Sequence, residues 1–234
     1  MRYRLIALFG LLTFSFVQSQ TYEIGLMVGG TNFSGDVGSN SFMNPQDYLH
    51  RSKGSLGAIF KWNRSTRHAF RFSYMRLRTF DDDLRSDSNA RISRGYRFNT
   101  EIDEFSVGIE YLFWDWDPHN HKSEIVPYLY TGPTFFLSHH HFVDNGQLRR
   151  GDRNNNFAIP MVFGIKMNFG DHFVVAGEFG ARYTFTDNLD GSAPNEIGNN
   201  NFPEFGNANK NDWYMFAGLV LTYSFGRKPC YCNF

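Results

Sequence analysis

The feature that most constrains this chain is a strict alternation of large apolar side chains with small or polar ones. Between Ala158 and Phe169, Ile159, Met161, Phe163, Ile165, Met167 and Phe169 share one face, while Ala158, Pro160, Val162, Gly164, Lys166 and Asn168 share the other. Successive side chains point to opposite sides of a strand, so a period of two marks β-structure. The pattern resumes after Gly170-Asp171-His172. Phe173, Val175, Phe179, Ala181, Tyr183 and Phe185 then oppose Ala176, Glu178, Gly180, Arg182 and Thr184. A last strand sets Trp213, Met215, Ala217, Leu219, Leu221, Tyr223 and Phe225 against Tyr214, Phe216, Gly218, Val220, Thr222 and Ser224.

Less regular strands are expected at Tyr22–Thr31, Ser55–Trp62, His68–Phe80, Thr100–Phe113 and Ile125–Leu137. With the three above, this predicts eight segments, several of the roughly 9–11 residues a tilted strand needs to cross a bilayer. Their connections alternate in length. Residues 32–54, 81–99, 138–157 and 186–212 read as long polar loops, and 63–67, 114–124 and 170–172 as shorter turns. Long loops at one rim and short turns at the other are the pattern of outer-membrane barrels.

The N-terminus fits export. Arg2 and Arg4 precede an uncharged, largely apolar run from Leu5 to Val17, then Gln18-Ser19-Gln20. This reads as a secretory signal peptide over residues 1–19, leaving a barrel over 20–225 and a periplasmic tail over 226–234. No cysteine stands directly after the expected cut, which argues against a lipoprotein. Loss of Arg2 and Arg4 leaves 21 basic against 23 acidic residues, so no basic face for nucleic acid is expected. Cys230 and Cys232, the only cysteines, exclude a disulfide framework, and the spacing is poor for a mutual bridge.

A soluble sandwich would turn its large apolar face inward and its charged face to water. A small membrane barrel does the reverse, and the sequence favours that arrangement. Gly25, Gly29, Gly57, Gly108, Gly164, Gly180 and Gly218 fall on the small face, suiting a narrow lumen. The large face, represented by Ile159, Met161, Phe163, Ile165, Met167, Phe173, Val175, Leu219, Leu221 and Tyr223, is expected to meet lipid. Trp62, Trp114, Phe169, Phe173 and Phe225 gather at the short-turn ends, where an aromatic girdle is expected. The fold expected is therefore all-β, a closed antiparallel transmembrane barrel of about eight strands.

Glu23, Lys61, Arg71, Glu110, Lys166, Glu178 and Arg182 all fall on inner faces. An eight-strand barrel is just wide enough to be filled by side chains, and buried charges must be paired. These seven are expected to form a polar plug. Glu178 and Arg182 share a face about 13 Å apart along their strand, so each should pair with other strands.

Other polar clusters carry less. His139, His140 and His141 are expected on a solvated loop, at the opposite rim from His119 and His121, without the convergence a metal needs. Asp81, Asp82 and Asp83 could hold a cation but read more simply as a solvated acidic run. Ser138-His139 is a common chance neighbour pair. No nucleophile elbow, HExxH, Walker loop or dinucleotide fingerprint occurs, so neither an enzyme nor a cofactor is expected.

Two resemblances sharpen this reading. Gly218, Leu221, Tyr223 and Phe225 resemble the assembly signal of bacterial outer-membrane barrels, implying the barrel-assembly machinery as a partner; here Gly226–Phe234 follows the terminal Phe. Glu178-Phe179-Gly180-Ala181-Arg182-Tyr183-Thr184-Phe185-Thr186-Asp187-Asn188-Leu189-Asp190 resembles the penultimate strand and loop of PorG-like barrels of the Bacteroidetes type IX secretion system. Asn188 stands where that family usually has Tyr, and Gly191 where a second Asp is usual. Asn207, Asn211–Tyr214 and Phe216–Phe225 also resemble the family's last strand, Gly25–Gly38 its first, and Glu104–Tyr111 and Pro127–Leu129 its middle strands. The resemblance implies a non-enzymatic translocon component associated with a periplasmic ring lipoprotein and its partner. The alternative is a stand-alone surface barrel binding a ligand, lipid or host molecule through its long loops.

Overall fold

The computed structural model describes residues 21–38, 54–118, 123–144, 147–187, 189–191 and 211–226. The expected signal peptide and tail, together with His119, His121, Asn188, Asn207, Cys230 and Cys232, lie outside the described residues, as does the side chain of His140.

Nine strand segments follow in chain order: β1 (Thr21–Ser34), β2 (Ser55–Asn63), β3 (His68–Asp82), β4 (Arg97–Leu112), β5 (Ile125–Thr131), β6 (Thr134–Asp144), β7 (Gln147–Phe169), β8 (Phe173–Thr184) and β9 (Trp213–Gly226). Each pairs antiparallel with its neighbours, and β9 pairs back onto β1. The sheet is thus closed, leaving no edge along its circuit.

The barrel has eight staves. β5 and β6 both lie between β4 and β7, and Ile109↔Thr131 and Ser106↔Thr134 keep one register across Gly132-Pro133. The stave expected as Ile125–Leu137 is therefore one strand interrupted locally, because Pro133 has no N–H to give to the ladder. A circuit of cross-strand partners from Thr21 passes Asn63, Ala69, Glu110, Tyr130, Val162, Gly180 and Phe216, and returns to β1 at Thr31, ten residues further on. That stagger tilts the strands by roughly 40° for spacings of about 3.3 Å along and about 4.8 Å between strands.

Two expected loops are largely ordered structure. Residues 138–144 and 147–157 form the far part of the β6–β7 pair, joined from His139↔Arg153 to Asp144↔Gln147 with a bulge between His139 and His141. β4 supports them from the other side as far as Arg97↔Val143. Backbone pairing needs no apolar face, which is why a polar sequence continues as strand here. Residues 81–99 contain the ends of β3 and β4, a 3-10 turn at Asp83–Arg85, and a short helix α1 (Asn89–Arg94) closed by Gly95 in the left-handed region. Among the described residues, no helix is long and apolar enough to cross a membrane.

The alternation sorts the side chains as the register requires. Leu26, Leu56, Phe72, Val107, Leu129, Phe163 and Leu219 stand exposed on the outside, giving every quarter of the wall an apolar surface. Met215 is the exception on its strand, fully buried on the outward face.

Candidate functional site: a sealed lumen under an acidic mouth

Inward parity brings together all seven charged residues singled out from the sequence, each almost fully buried. Glu110 on β4 is gripped by two lysines, Lys61 Nζ at 2.8 Å and Lys166 Nζ at 2.9 Å. Arg71 on β3 donates from Nη1 and Nη2 to the two oxygens of Glu178 on β8, at 2.6 and 3.1 Å. β3 and β8 lie on opposite sides of the ring, so this bidentate pair is a strut across the whole lumen. Tyr128 adds a hydrogen bond to Glu178 Oε1 at 2.5 Å. Its ring lies over Gly164, where a Cβ would come within 2.4 Å of Tyr128 Cζ, so this glycine makes room for the tyrosine.

Arg182 does not pair with Glu178. Its partner is Glu104, with Nε 3.2 Å from Oε2, and Tyr214 donates to the same oxygen at 2.7 Å from the far side of the ring. Glu23 accepts from Asn63 Nδ2 at 2.9 Å and Thr222 Oγ1 at 2.7 Å. Lys61, Arg71, Lys166 and Arg182 thus share the lumen with Glu23, Glu104, Glu110 and Glu178, a matched set. Such a set tolerates burial because each charge keeps hydrogen-bonded partners. At the short-turn end, buried Trp116 lies under Lys166, 5.0 Å from ring centre to Nζ.

Sequence reasoning misses Glu104, Tyr128, Tyr214 and Trp116. Glu104 is within its reach, since it shares strand and parity with Glu110. Tyr128 and Tyr214 also carry inward parity, but their hydroxyls matter only once the opposite stave is known.

Beyond Tyr214, toward the long loops, the interior turns apolar. Phe33 and Phe98 meet edge to face at 4.8 Å, and Leu77, Ile102 and Phe136 are fully buried beside them. Leu189 closes this layer from above, its carbonyl accepting from Thr100 Oγ1 at 2.8 Å.

Over that layer sits a belt of buried aspartates. The expectation of a solvated run at Asp81–Asp83 is corrected: all three are buried, because the 3-10 turn and α1 fold back over them. Asp83 accepts from Arg94 at 2.6 and 2.8 Å and from the N–H groups of Tyr96 and Gly38, and Asp82 pairs with Arg97. Asp36, Asp187, Asp190 and Asp212, beyond the ends of β1 and β8 and before β9, are also buried. Burial, and then the neighbouring carboxylates of Asp190, Asp187 and Asp36, hold Asp212 well above the usual carboxylate range. Among the described residues, no three His, Cys, Asp or Glu side chains converge as a metal site requires. His139 and His141 lie on β6, half-buried, not on a loop.

On the outside, Ile159, Met161, Phe163, Ile165, Met167, Phe173, Leu219, Leu221 and Tyr223 are exposed, and Val175 is half-exposed. Gly218 faces inward and Phe225 outward at the end of β9. At the short-turn rim, Trp114, Phe169 and Phe225 are exposed, and Trp62 packs on Phe70 at 5.4 Å.

A family model described as a domain of unknown function, DUF6089, matches residues 2–234. The chain belongs to that family. No curated protein matches the sequence. Among solved structures, this DUF6089 chain is similar to Ail, the attachment invasion locus protein of Yersinia pestis, with 10% identity, 88% of this chain and 99% of that chain covered, and a TM-score of 0.47. It is also similar to the N-terminal β-barrel domain of OprF from Pseudomonas aeruginosa, with 12% identity, coverages of 89% and 98%, and a TM-score of 0.46. A major outer membrane protein from Thermus thermophilus is similar at 11% identity, with coverages of 88% and 99% and a TM-score of 0.47.

Proposed function

We propose that this protein is an integral outer-membrane barrel with neither catalytic activity nor an open pore, serving as an anchoring component of a type IX protein secretion machinery. The observation that carries this reading is an outward apolar belt wrapped around a lumen filled by matched ion pairs. Apolar surface on every stave suits acyl chains, and a closed sheet satisfies its backbone without water. Struts such as Arg71–Glu178 leave the lumen to structure rather than transport. The secretion role rests on the likeness of Glu178–Asp190 and the last strand to PorG-like barrels. In this reading the long loops are extracellular and both termini periplasmic. The signal peptide is removed on export, the barrel-assembly machinery inserts the chain, and a periplasmic ring lipoprotein and its partner are its associates.

One observation favours a second reading, a stand-alone surface barrel that binds a ligand, lipid or host molecule. β7 continues from Ala158 back to Gln147 beyond its pairing with β8, so the β3–β4–β6–β7 wall projects past its neighbour. Affinity capture of the detergent-solubilised protein from its native membrane separates the two. Recovery of the ring lipoprotein and its partner is expected. Their repeated absence, with the barrel intact, overturns the secretion reading in favour of the second.

A further inference from the structure

The outer wall is indented where β2 stops short of its neighbours. β2 begins at Ser55, whereas β1 runs on to Ser34 and β3 to Asp82. Register stacks the outward side chains of these staves in rows, Leu26 with Ala58 and Tyr74, then Val28 with Leu56 and Arg76. Two residues before Leu56, level with Arg78, stands Gly54, where an added Cβ would meet nothing within 4 Å. Small residues on the middle stave, between longer ones, leave a groove of about 670 Å³. That volume falls in the roughly 300–1,000 Å³ range of small-molecule sites. Its floor is apolar and open, with Leu26 and Leu56 each 61% exposed and Val28 56%. Behind it the wall stays continuous, because Thr31 Oγ1 donates to the Arg78 carbonyl and joins β1 to β3 beyond the end of β2.

The groove lies where the apolar belt ends on the long-loop side. Tyr74, Phe105, Phe135 and Phe157 form a row of outward rings across β3, β4, β6 and β7. Centroids are 4.9 Å apart for Tyr74–Phe105 and 5.4 Å for Phe135–Phe157. Such rows mark the level at which hydrocarbon gives way to headgroups. The next outward residues on β3 are Arg76 and Arg78, and both line the groove. Their acids stand on the other side, on β4. Arg76 donates from Nε and Nη2 to Asp103 at 2.9 and 3.0 Å, and Arg78 Nε lies 3.1 Å from Glu101. Among the described residues, no Asp or Glu lines the groove. A guanidinium holds five N–H donors in a fixed fork, so a carboxylate on one side leaves donors for an anion on the other. Both arginine side chains remain exposed.

We propose that this groove holds a phosphorylated membrane lipid from the leaflet on the long-loop side, with its phosphate on Arg76 and Arg78 and an acyl chain along Leu26, Val28 and Leu56. The two arginines project from one face two residues apart, about 7 Å along the strand. Side chains of that length reach a single phosphate between them, and the guanidinium fork matches its oxygens in pairs. The groove contributes shape rather than hydrophobic drive, since acyl chains surround the whole belt in any case. Selection therefore comes from the phosphate, at a level where its charge meets cations instead of hydrocarbon. A headgroup without phosphate leaves the arginines only their acids on β4, and a free phosphate lacks the chain that fills the depression. The inference needs the apolar belt to lie in a bilayer and does not depend on the secretion role.

Native mass spectrometry of the full-length protein in a neutral detergent tests this, with diphosphoryl lipid A, its dephosphorylated counterpart and inorganic phosphate as probes. One diphosphoryl lipid A per barrel is expected to be retained, and removing its phosphates should weaken binding by about tenfold or more. Arg76→Gln combined with Arg78→Gln should weaken the phosphorylated lipid to a similar extent and leave the dephosphorylated one unchanged. Should that double variant fail to give a heat-modifiable barrel, Ala58→Trp serves: it keeps both arginines, fills the groove and should lower the affinity for both lipids. Arg64→Gln combined with Arg67→Gln removes the same charge at the short-turn rim and should change neither. Equal binding of the two lipids by the wild type overturns the proposal, as does undiminished binding in Ala58→Trp. An equal loss in the short-turn control overturns it in favour of diffuse attraction. Displacement of the lipid by millimolar inorganic phosphate overturns it in favour of a free-anion site.

Discussion

In the lumen, Glu110 sits between Lys61 and Lys166, Glu178 takes both arms of Arg71, and Glu104 takes Arg182. At the mouth, Asp212 faces Asp36, Asp187 and Asp190. Both regions bury carboxylates, yet the lumen sets Glu104, Glu110 and Glu178 against cations on other staves, while Asp212 meets carboxylates from segments beyond the strand ends. The difference follows from the scaffold. Strands at fixed register hold long cationic side chains in place across the lumen, where a missing partner would strand a charge in a dry interior.

The sharpest way to break this comparison is to neutralise one acid in each region. Glu110→Ala leaves Lys61 and Lys166 facing one another, and should cost about 3–5 kcal/mol or more in detergent-based unfolding. Asp212→Asn at neutral pH should cost nothing or stabilise. Equal losses would show that the two regions obey the same rule.

Next in size is the outer face. Phe163→Arg puts a charge at mid-belt and should cost roughly 2–4 kcal/mol in lipid. Lipid-soluble reagents should label cysteine at Phe163 or Ile165 but not at Gly164, which Tyr128 covers. Labelling at Gly164 alone would invert the faces.

Smaller is the coupling within a lumen pair. A double-mutant cycle on Arg182 and Glu104 should return a coupling of about 0.5–3 kcal/mol, whereas Arg182 with Glu178 should be close to additive. The reverse result would reassign the partner. Smallest is the pair Arg67–Asp115 at the short-turn rim, 2.9 Å apart but exposed on both sides. Arg67→Ala should leave the unfolding midpoint unchanged, since surface pairs contribute little.

Much of the barrel was legible because parity is a local property. Knowing that Ile165 faces out fixes Lys166 as facing in, and the same reasoning places Arg71, Glu178 and Arg182. Pairing across the lumen was not legible. That Arg71 meets Glu178, 107 residues away, depends on strand number and stagger, which no single strand encodes. The distance along β8 does exclude Glu178 as the partner of Arg182, but choosing Glu104 requires the closed ring. The mouth was least legible. Asp81–Asp83 look like solvated acids until the 3-10 turn and α1 cover them, and nothing periodic around Leu189 announces that it is fully buried beside Thr100.

The central claim is that matched charges seal the lumen, and electrical recording in planar bilayers tests it most directly. Purified, heat-modifiable protein should insert without discrete conductance steps at neutral pH, because the Arg71–Glu178 and Tyr214–Glu104 struts span the interior. A stable, reproducible open level carried by the wild-type barrel would contradict the account, making the polar face a conduit rather than a plug.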